Sequence, residues 1–542
     1  MSAYVIGLDF GTDSVRSMLV DALTGAEVST AVVNYPRWAK GLYCDPSVSM
    51  YRQHPLDYLE AMEESVLSTL ASHQDKLNAV KGISLATTGS TPVAVDENGT
   101  PLALLPAFAE NPNGMFMLWK DHTATAEAEA INATARSWAI DFTKYSGGTY
   151  SPEWYFSKIL HVLRVDAAVA EKAYSWVEHC DWMPAVLTGN TRPDALKRSR
   201  CVGGHKAMWH EDFDGLPAQD FLDAVDPLFS NIRERLYKNT YTSDESAGVI
   251  SAEWATKFGL PSDVQVGVGA LDAHFGAVGA FIEPFTMVKV MGTSTCDMMI
   301  VPLADFQHQL IKGICGQVNG SIVPSMLGME AGQSAFGDVY KWFEEILSFP
   351  LSGMTDETLR KQLKAAILPE LNRKAALLPL SADDEVALDW INGRRTPDAD
   401  MHLKGIITGL TLGTTAPRIF KALVEATAFG SKAIIARFRA EGVPVKQVVV
   451  LGGISKKSTF VLQTLANVLD MPIQVVKSEQ ACALGAAMFA ATIGHVYPDL
   501  QSAQEAMASG FDATFLPEEE KVTIYAELFA KYLNWGSVAI NH

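Results

Sequence analysis

Val5-Ile6-Gly7-Leu8-Asp9-Phe10-Gly11-Thr12-Asp13-Ser14-Val15-Arg16 is an apolar run that breaks at an acid, a glycine and small hydroxyl residues. The apolar pattern resumes through Ser17-Met18-Leu19-Val20-Asp21, so the spacing predicts a strand, a tight turn and an antiparallel return strand. Backbone N–H groups and hydroxyls at such a tip suit phosphate oxygens. Asp9 stands where a hard cation carried by that phosphate can be held, directly or through water. An ordinary hairpin with glycine in its turn accounts for the same residues.

The rest of the chain narrows the choice. Its 542 residues favour two or more domains. A formal net charge of −19 argues against nucleic acid or an anionic membrane as partner, yet a local nest of N–H groups still binds phosphate in an acidic protein. No apolar stretch is long enough to span a bilayer, and no basic leader precedes the first strand. The six cysteines follow no framework of regular spacings. These features predict a reduced, cytoplasmic protein in which Asn132 and Asn319 are not glycosylated.

A third strand is expected over Glu27–Tyr35, then a helix opening at His54-Pro55 with Leu59, Met62, Val66, Leu67 and Leu70 at helical spacing. Val80–Ala86 returns as a buried strand and ends in the polar turn Thr87-Thr88-Gly89-Ser90-Thr91-Pro92. The segment that follows, including Asn111–Gly114, Trp119–His122 and Arg192–Trp209, reads as an elaborated cap beside the sheet. Cys201-Val202-Gly203-Gly204-His205 has a zinc-like spacing, but no second pair completes four ligands.

Around Gly267 the pattern begins again. Gly267-Val268-Gly269-Ala270-Leu271-Asp272 is a small-residue strand end running into a helix; Phe285–Val290, the turn Met291-Gly292-Thr293-Ser294-Thr295-Cys296 and Asp297–Val301 form a second strand–Gly-Thr turn–strand unit. A helix over Ala416–Phe438, a buried strand Gln447–Leu451 ending in Gly452-Gly453, a helix through Phe460 and Val468, a strand Ile473–Val476 and a small-residue helix Cys482–Ile493 complete the order. The chain therefore carries two diverged copies of one plan, with a boundary expected near residue 285 (lobes 1–285 and 286–542), and two lobes facing across a cleft bring the two Gly-Thr turns together.

Leu8-Asp9-Phe10-Gly11-Thr12 with Arg16, Asp272 after small residues, Gly292-Thr293 and Leu451-Gly452-Gly453 together resemble the FGGY carbohydrate kinases. Lys404-Gly405-Ile406-Ile407-Thr408-Gly409-Leu410, Arg418 and Glu425–Gly430 resemble that family's C-terminal signature, and the order of motifs is kept over essentially the full length. The resemblance implies an α/β fold of two ribonuclease-H-like lobes of the actin and hexokinase type. It also implies ATP and Mg2+ as cofactors and a small sugar as acceptor; a homodimer is allowed.

Tyr35–Trp38, Glu110–Asn113 with Leu118–Thr123, Gly204–Lys206 with Trp209-His210, and Gly328–Asp338 are similar to the branch acting on L-ribulose. Gly89-Ser90-Thr91-Pro92 stands where xylulose-directed relatives are expected to show Gly-Gln-Met-His. Trp119-Lys120-Asp121-His122-Thr123 lacks the arginine of the Trp-Asn-Asp-x-Arg pattern, so no role of that arginine is carried over. A D-ribulose or ribitol kinase of the same family is the nearest alternative. An actin-like ATP-gated protein is more distant, because it needs no base at a sugar site. No Gly-x-x-x-x-Gly-Lys occurs, which excludes a P-loop enzyme.

Phosphoryl transfer asks for alignment, charge neutralisation and a proton acceptor. Asp272 is the candidate base, and as a strand-end aspartate it also suits a helix N-cap. Asp9, with Asp272 beside the phosphates, is the candidate metal ligand. Thr12, Ser14, Gly292 and Thr293 offer donors to phosphate; Arg16 either joins them or bridges its own hairpin. Asp13 contributes its N–H, its carboxylate turned away or toward the metal. Gly452, Gly453 and Lys457, with Gly337 and Lys341, are expected on the nucleotide side. Lys206 and Glu330 are the polar candidates for the sugar, with Ala94, Trp119 and Asp121 lining the same pocket; core packing accounts equally well for Trp119. Lobe closure is expected to exclude water as a competing acceptor.

Overall fold

The computed structural model describes residues 2–540. Its first sheet is built from β1 (Tyr4–Phe10), β2 (Ser14–Asp21), β3 (Glu27–Asn34), β4 (Val80–Thr87), β5 (Ser246–Val249), β6 (Gln265–Gly267) and β7 (Ala270–Leu271). Helices α1 (Pro55–Leu70), α2 (Arg200–Lys206) and α3 (Asp272–Gly279) accompany it. The second sheet takes β8 (Thr286–Met291), β9 (Thr295–Pro302), β10 (Gly316–Asn319), β11 (Met326–Ala331), β12 (Gln447–Leu451), β13 (Ile473–Val476) and β14 (Phe511–Phe515). With it run α4 (Gly337–Ser348), α5 (Ala416–Ala440), α6 (Thr459–Leu469) and α7 (Ala481–Ile493).

The two sheets repeat one topology. The first has the order β5-β6-β4-β1-β2-β3 with β7 also on β4, and the second β10-β11-β9-β8-β12-β13-β14. In each, a central strand (β1 or β8) pairs antiparallel with its return strand (β2 or β9) and parallel with the strand on its other side (β4 or β12). The expected duplication is thus present at the level of strand order.

Burial follows the pairing. β1 is buried on both faces from Val5 to Phe10, as a central strand must be, whereas β3 alternates toward solvent as the sheet's edge. α1 begins where His54 Nδ1 accepts the Leu56 N–H at 3.1 Å and Pro55 occupies the first turn. Its buried stripe is Tyr58, Ala61, Met62, Val66 and Leu70. Leu67, expected in that stripe, is exposed, because the true stripe starts one residue before Leu59.

The lobes are less separate than the linear reading implies. α7 comes from the C-terminal half but lies on the first sheet: an added Cβ at Gly7 would stand 1.9 Å from the Ala483 carbonyl oxygen, and one at Gly82 2.3 Å from that of Ala490. α3 and α7 cross with the same intimacy, since a Cβ at Gly485 would lie 1.9 Å from the Phe275 oxygen and one at Gly279 2.0 Å from the Ala481 oxygen. A single apolar cluster therefore joins Val5, Met18 and Ala277 with Val288, Val449 and Leu484. The cap, over residues 102–236, has its own core of Phe142, Tyr155, Phe156, Ile159 and Phe221. No helix among the described residues is long and apolar enough to cross a membrane.

Gly485→Ala forces two backbones apart and is expected to cost about 1–3 kcal/mol of stability. Gly453→Ala, whose added Cβ would meet nothing within 4 Å, serves as the control and should be near neutral. Urea denaturation of both variants checks the pair; equal midpoints would remove the close crossing as a structural requirement.

Candidate active site

The two Gly-Thr turns face one cavity of about 710 Å³, walled by Thr12, Thr88, Gly89, Trp119, Lys206, Asp272, Gly292, Thr293 and Glu330 among others. The first turn is braced from behind. Trp119 Nε1 donates to Thr12 Oγ1 at 3.0 Å, Gln53 Nε2 to the Thr12 carbonyl at 2.6 Å, and Trp38 Nε1 to Asp13 Oδ1 at 2.6 Å. The Asp13 carboxylate is thereby turned toward Trp38. Ser14 is buried, and its carbonyl closes the turn by accepting the Gly11 N–H at 3.0 Å.

The second turn is braced by α4. Phe336 and Asp338 donate their N–H groups to the Thr293 carbonyl at 2.8 and 3.0 Å, and Gly337 donates to the Gly292 carbonyl at 3.1 Å. The Gly337 amide is thus engaged within the protein, and its missing side chain is what lets α4 reach the turn: a Cβ there would lie 2.7 Å from the Gly292 oxygen. Beneath the strands, Lys289 Nζ donates to both Asp297 oxygens at 2.8 and 2.7 Å in a fully buried pair. Gly452 holds φ +98° against Met291, Gly453 and Lys457 are exposed, and Lys341 is exposed one turn along α4.

Asp9 ends β1 nearly buried. Arg16, directly across the hairpin, donates from Nη1 to Asp9 Oδ2 at 3.1 Å, while Oδ1 is buried with no protein partner. Arg16 is therefore committed to its own hairpin. Asp272 is the first residue of α3 and accepts the Ala273 N–H at 2.6 Å. Burial and then the negative charge of Asp9 push its carboxyl up to about 7. Burial likewise raises Asp9, against the pull of Arg16. Two hard-oxygen donors, one with an orphaned buried atom, fit a magnesium ion.

On the sugar side, Lys206 Nζ donates to Glu330 Oε1 at 2.7 Å and Oε2 at 3.0 Å, linking α2 of the first lobe to β11 of the second. Burial alone would raise the Glu330 carboxyl, but Lys206 outweighs it and holds it at about 2. Ala94 and Asp121 stand elsewhere. Ala94 is packed in the cap core. Asp121 is wholly buried, accepting from the Tyr51 N–H at 2.8 Å and pairing with Arg52 at 3.2 Å, so it holds the Trp119 segment in place. Trp119 itself lines the cavity while bonding Thr12.

Further polar groups gather on and behind the cavity wall. His122 Nε2 lies 2.7 Å from Glu153 Oε1, and Arg395 on the Asn392–His402 strap of the second lobe lies 3.8 Å from Glu153 Oε2. His205 and His274 crowd Glu330. Cys201 sits on the same helix as His205 but joins no metal-ligand group among the described residues.

Residues 4–279 match the model of the N-terminal domain, and residues 287–493 that of the C-terminal domain, of the FGGY family of carbohydrate kinases. The chain belongs to this family. It is 48% identical to a ribulokinase of Vibrio parahaemolyticus over 540 residues, covering 98% of this chain and 95% of that one, and 35% identical to one of Bacillus licheniformis, covering 96% and 94%. Solved structures of a xylulose kinase from Rhodospirillum rubrum (TM-score 0.78, 19% identity, 99% and 98% covered) and of a Plasmodium falciparum glycerol kinase with ADP (0.75, 15%, 98% of both) share its fold.

Burying Asp272 beside Asp9 costs stability when its carboxyl is ionised. An unfolded chain ionises Asp272 near pH 3.9, whereas the native protein keeps the proton until about pH 7. Stability therefore falls between those values, and the penalty is complete above pH 7. In chelator, Asp272→Asn should melt above wild type at pH 8, with a smaller difference at pH 5; equal shifts at both pH values would sink this electrostatic reading.

Proposed function

We propose that this FGGY kinase is an ATP-dependent L-ribulokinase, forming L-ribulose 5-phosphate and ADP. The observation that carries the reading is one carboxylate, Asp272, on the wall of a cavity bounded by two phosphate-type turns and the Lys206–Glu330 pair. Asp272 takes the proton of the 5-hydroxyl as that oxygen bonds to the γ-phosphorus and the bond to the β-phosphate bridging oxygen breaks. A carboxyl raised toward neutrality suits a base working near pH 7. Thr12, Ser14, Gly292 and Thr293 orient the phosphates, with Gly452, Gly453, Lys341 and Lys457 on the adenosine side. Asp9 and Asp272 would hold magnesium, which supplies neutralisation of phosphate charge.

Lys206 donates to the ketose carbonyl and Glu330 accepts from its hydroxyls, which favours a ketopentose over a pentitol. The 48% identity to a ribulokinase supports ribulose over ribitol. All six cysteines are free thiols, which suits the cytoplasm.

A coupled ADP-release assay over L-ribulose, D-ribulose, D-xylulose and ribitol tests the reading, with the highest kcat/KM expected for L-ribulose. Asp272→Asn should lower kcat by about 10²- to 10⁴-fold. No ADP above background with L-ribulose overturns the substrate; retained turnover in the variant removes Asp272 as base.

A further inference from the structure

Glu330, on β11 of the second lobe, is met by three groups from α2 and α3: Lys206, His205 and His274. His205 Nε2 lies 3.0 Å from Ser321 Oγ, and that hydroxyl sits 3.1 Å from the Val318 carbonyl, to which it donates. The His205 proton is therefore on Nε2, and its Nδ1 lone pair faces Glu330 Oε2 at 3.7 Å with no protein partner. His274 is fully buried, lines the cavity and has no protein partner for either ring nitrogen. Its Nε2 also lies 3.7 Å from Glu330 Oε2, and the two rings are 4.8 Å apart between centroids. Facing an anionic oxygen and a lone pair, Nε2 is the nitrogen of His274 that carries the proton. Burial keeps both rings neutral.

The three donor atoms lie within 4.8 Å of one another, a spacing near that of a metal site, but the Lys206 ammonium already occupies the same carboxylate. A second cation there meets uncompensated charge. A gap of 3.7 Å is too long for a hydrogen bond and is closed by under 1 Å of lobe movement.

We propose that His274, backed by His205, is a positioning residue for sugar recognition: its Nε2–H docks on Glu330 as the lobes close and fixes the Lys206–Glu330 pair to read the carbonyl end of a ketopentose. This rests on the L-ribulose reading above. A carbonyl only accepts hydrogen bonds, whereas the hydroxyl that replaces it in a pentitol also donates. The hydroxyl still accepts from the ammonium, but it is tetrahedral and its added proton needs an acceptor of its own, so an ammonium fixed along the planar carbonyl direction favours the ketose and one free to swing does not.

His274→Leu, His274→Gln and His274→Asn decide it in the ADP-release assay on the full chain. A hydrogen bond to a charged group is worth about 1.5–3 kcal/mol. The leucine variant should therefore raise KM for L-ribulose about tenfold to a hundredfold with KM for ATP within about twofold, and narrow the L-ribulose to ribitol preference by a similar factor. Glutamine, whose amide nitrogen reaches the Nε2 position, should recover most of both; asparagine, which reaches only the Nδ1 position, should not. If the leucine variant does not fold, the glutamine–asparagine comparison decides alone. Unchanged sugar KM and preference, equal losses for sugar and ATP, or equal rescue by asparagine overturns the proposal. A wild-type protein inactive on L-ribulose but active on another sugar instead removes the substrate reading.

Discussion

Everything in the cleft depends on how closely α3 and α7 cross. The carbonyls of Phe275 and Ala481 occupy space that any side chain at Gly485 or Gly279 would need. Because α3 begins at Asp272 and α7 lies on β1 and β4 through Gly7 and Gly82, this one contact sets the distance between the candidate base, the first turn and the second sheet. The alanine-rich composition of α7, with Gly485 at the crossing, is thus a packing requirement. It buries a helix against a sheet and a helix at backbone distance, where larger residues would hold the lobes apart.

The duplicated lobes are alike in topology and unlike in chemistry. Counting back from each Gly-Thr turn, Val290 stands where Asp9 stands in the first hairpin. The second hairpin moves its charge one residue deeper, into the buried Lys289–Asp297 pair, where it braces the strands. One copy keeps a carboxylate beside Asp272, and the other an apolar residue, Val290, on the cavity wall. Duplication gives two like turns facing one cavity, and divergence puts the strand-end carboxylate on one side only.

Strand order, both turns and Asp272 were legible because period-two apolar runs and Gly-Thr turns are local signals. Lys206 and Glu330 became a pair only in the structure, being 124 residues apart in sequence. His274 carries no signal beyond its place two residues after Asp272. Glu153 and Arg395 meet from a cap loop and a strap without any periodicity. Asp121 read as a pocket residue because a carboxylate beside Trp119 fits a sugar, yet Thr123 donates to its Oδ1 while Arg52 and the Tyr51 N–H, far earlier in the sequence, meet its Oδ2. Ala94 offers no polar atom whose partner could place it. Local pattern reports what a segment can form; which polar groups remain unsatisfied is decided by segments far away in sequence.

That distinction also explains how a chain of net charge −19 can hold a nucleotide triphosphate. Asp9 lies close enough to Asp272 for its charge to raise that carboxyl, and the nearby Arg16 is already paired with Asp9. A bare polyphosphate would meet repulsion from two carboxylates, while its magnesium complex presents the cation that both lack. The oligopeptide turns add donors without charge. On the reading proposed above, such a cleft floor would favour the metal-bound nucleotide, and the burial that raises the Asp272 carboxyl, reinforced by the charge of Asp9, is also what brings it near neutrality.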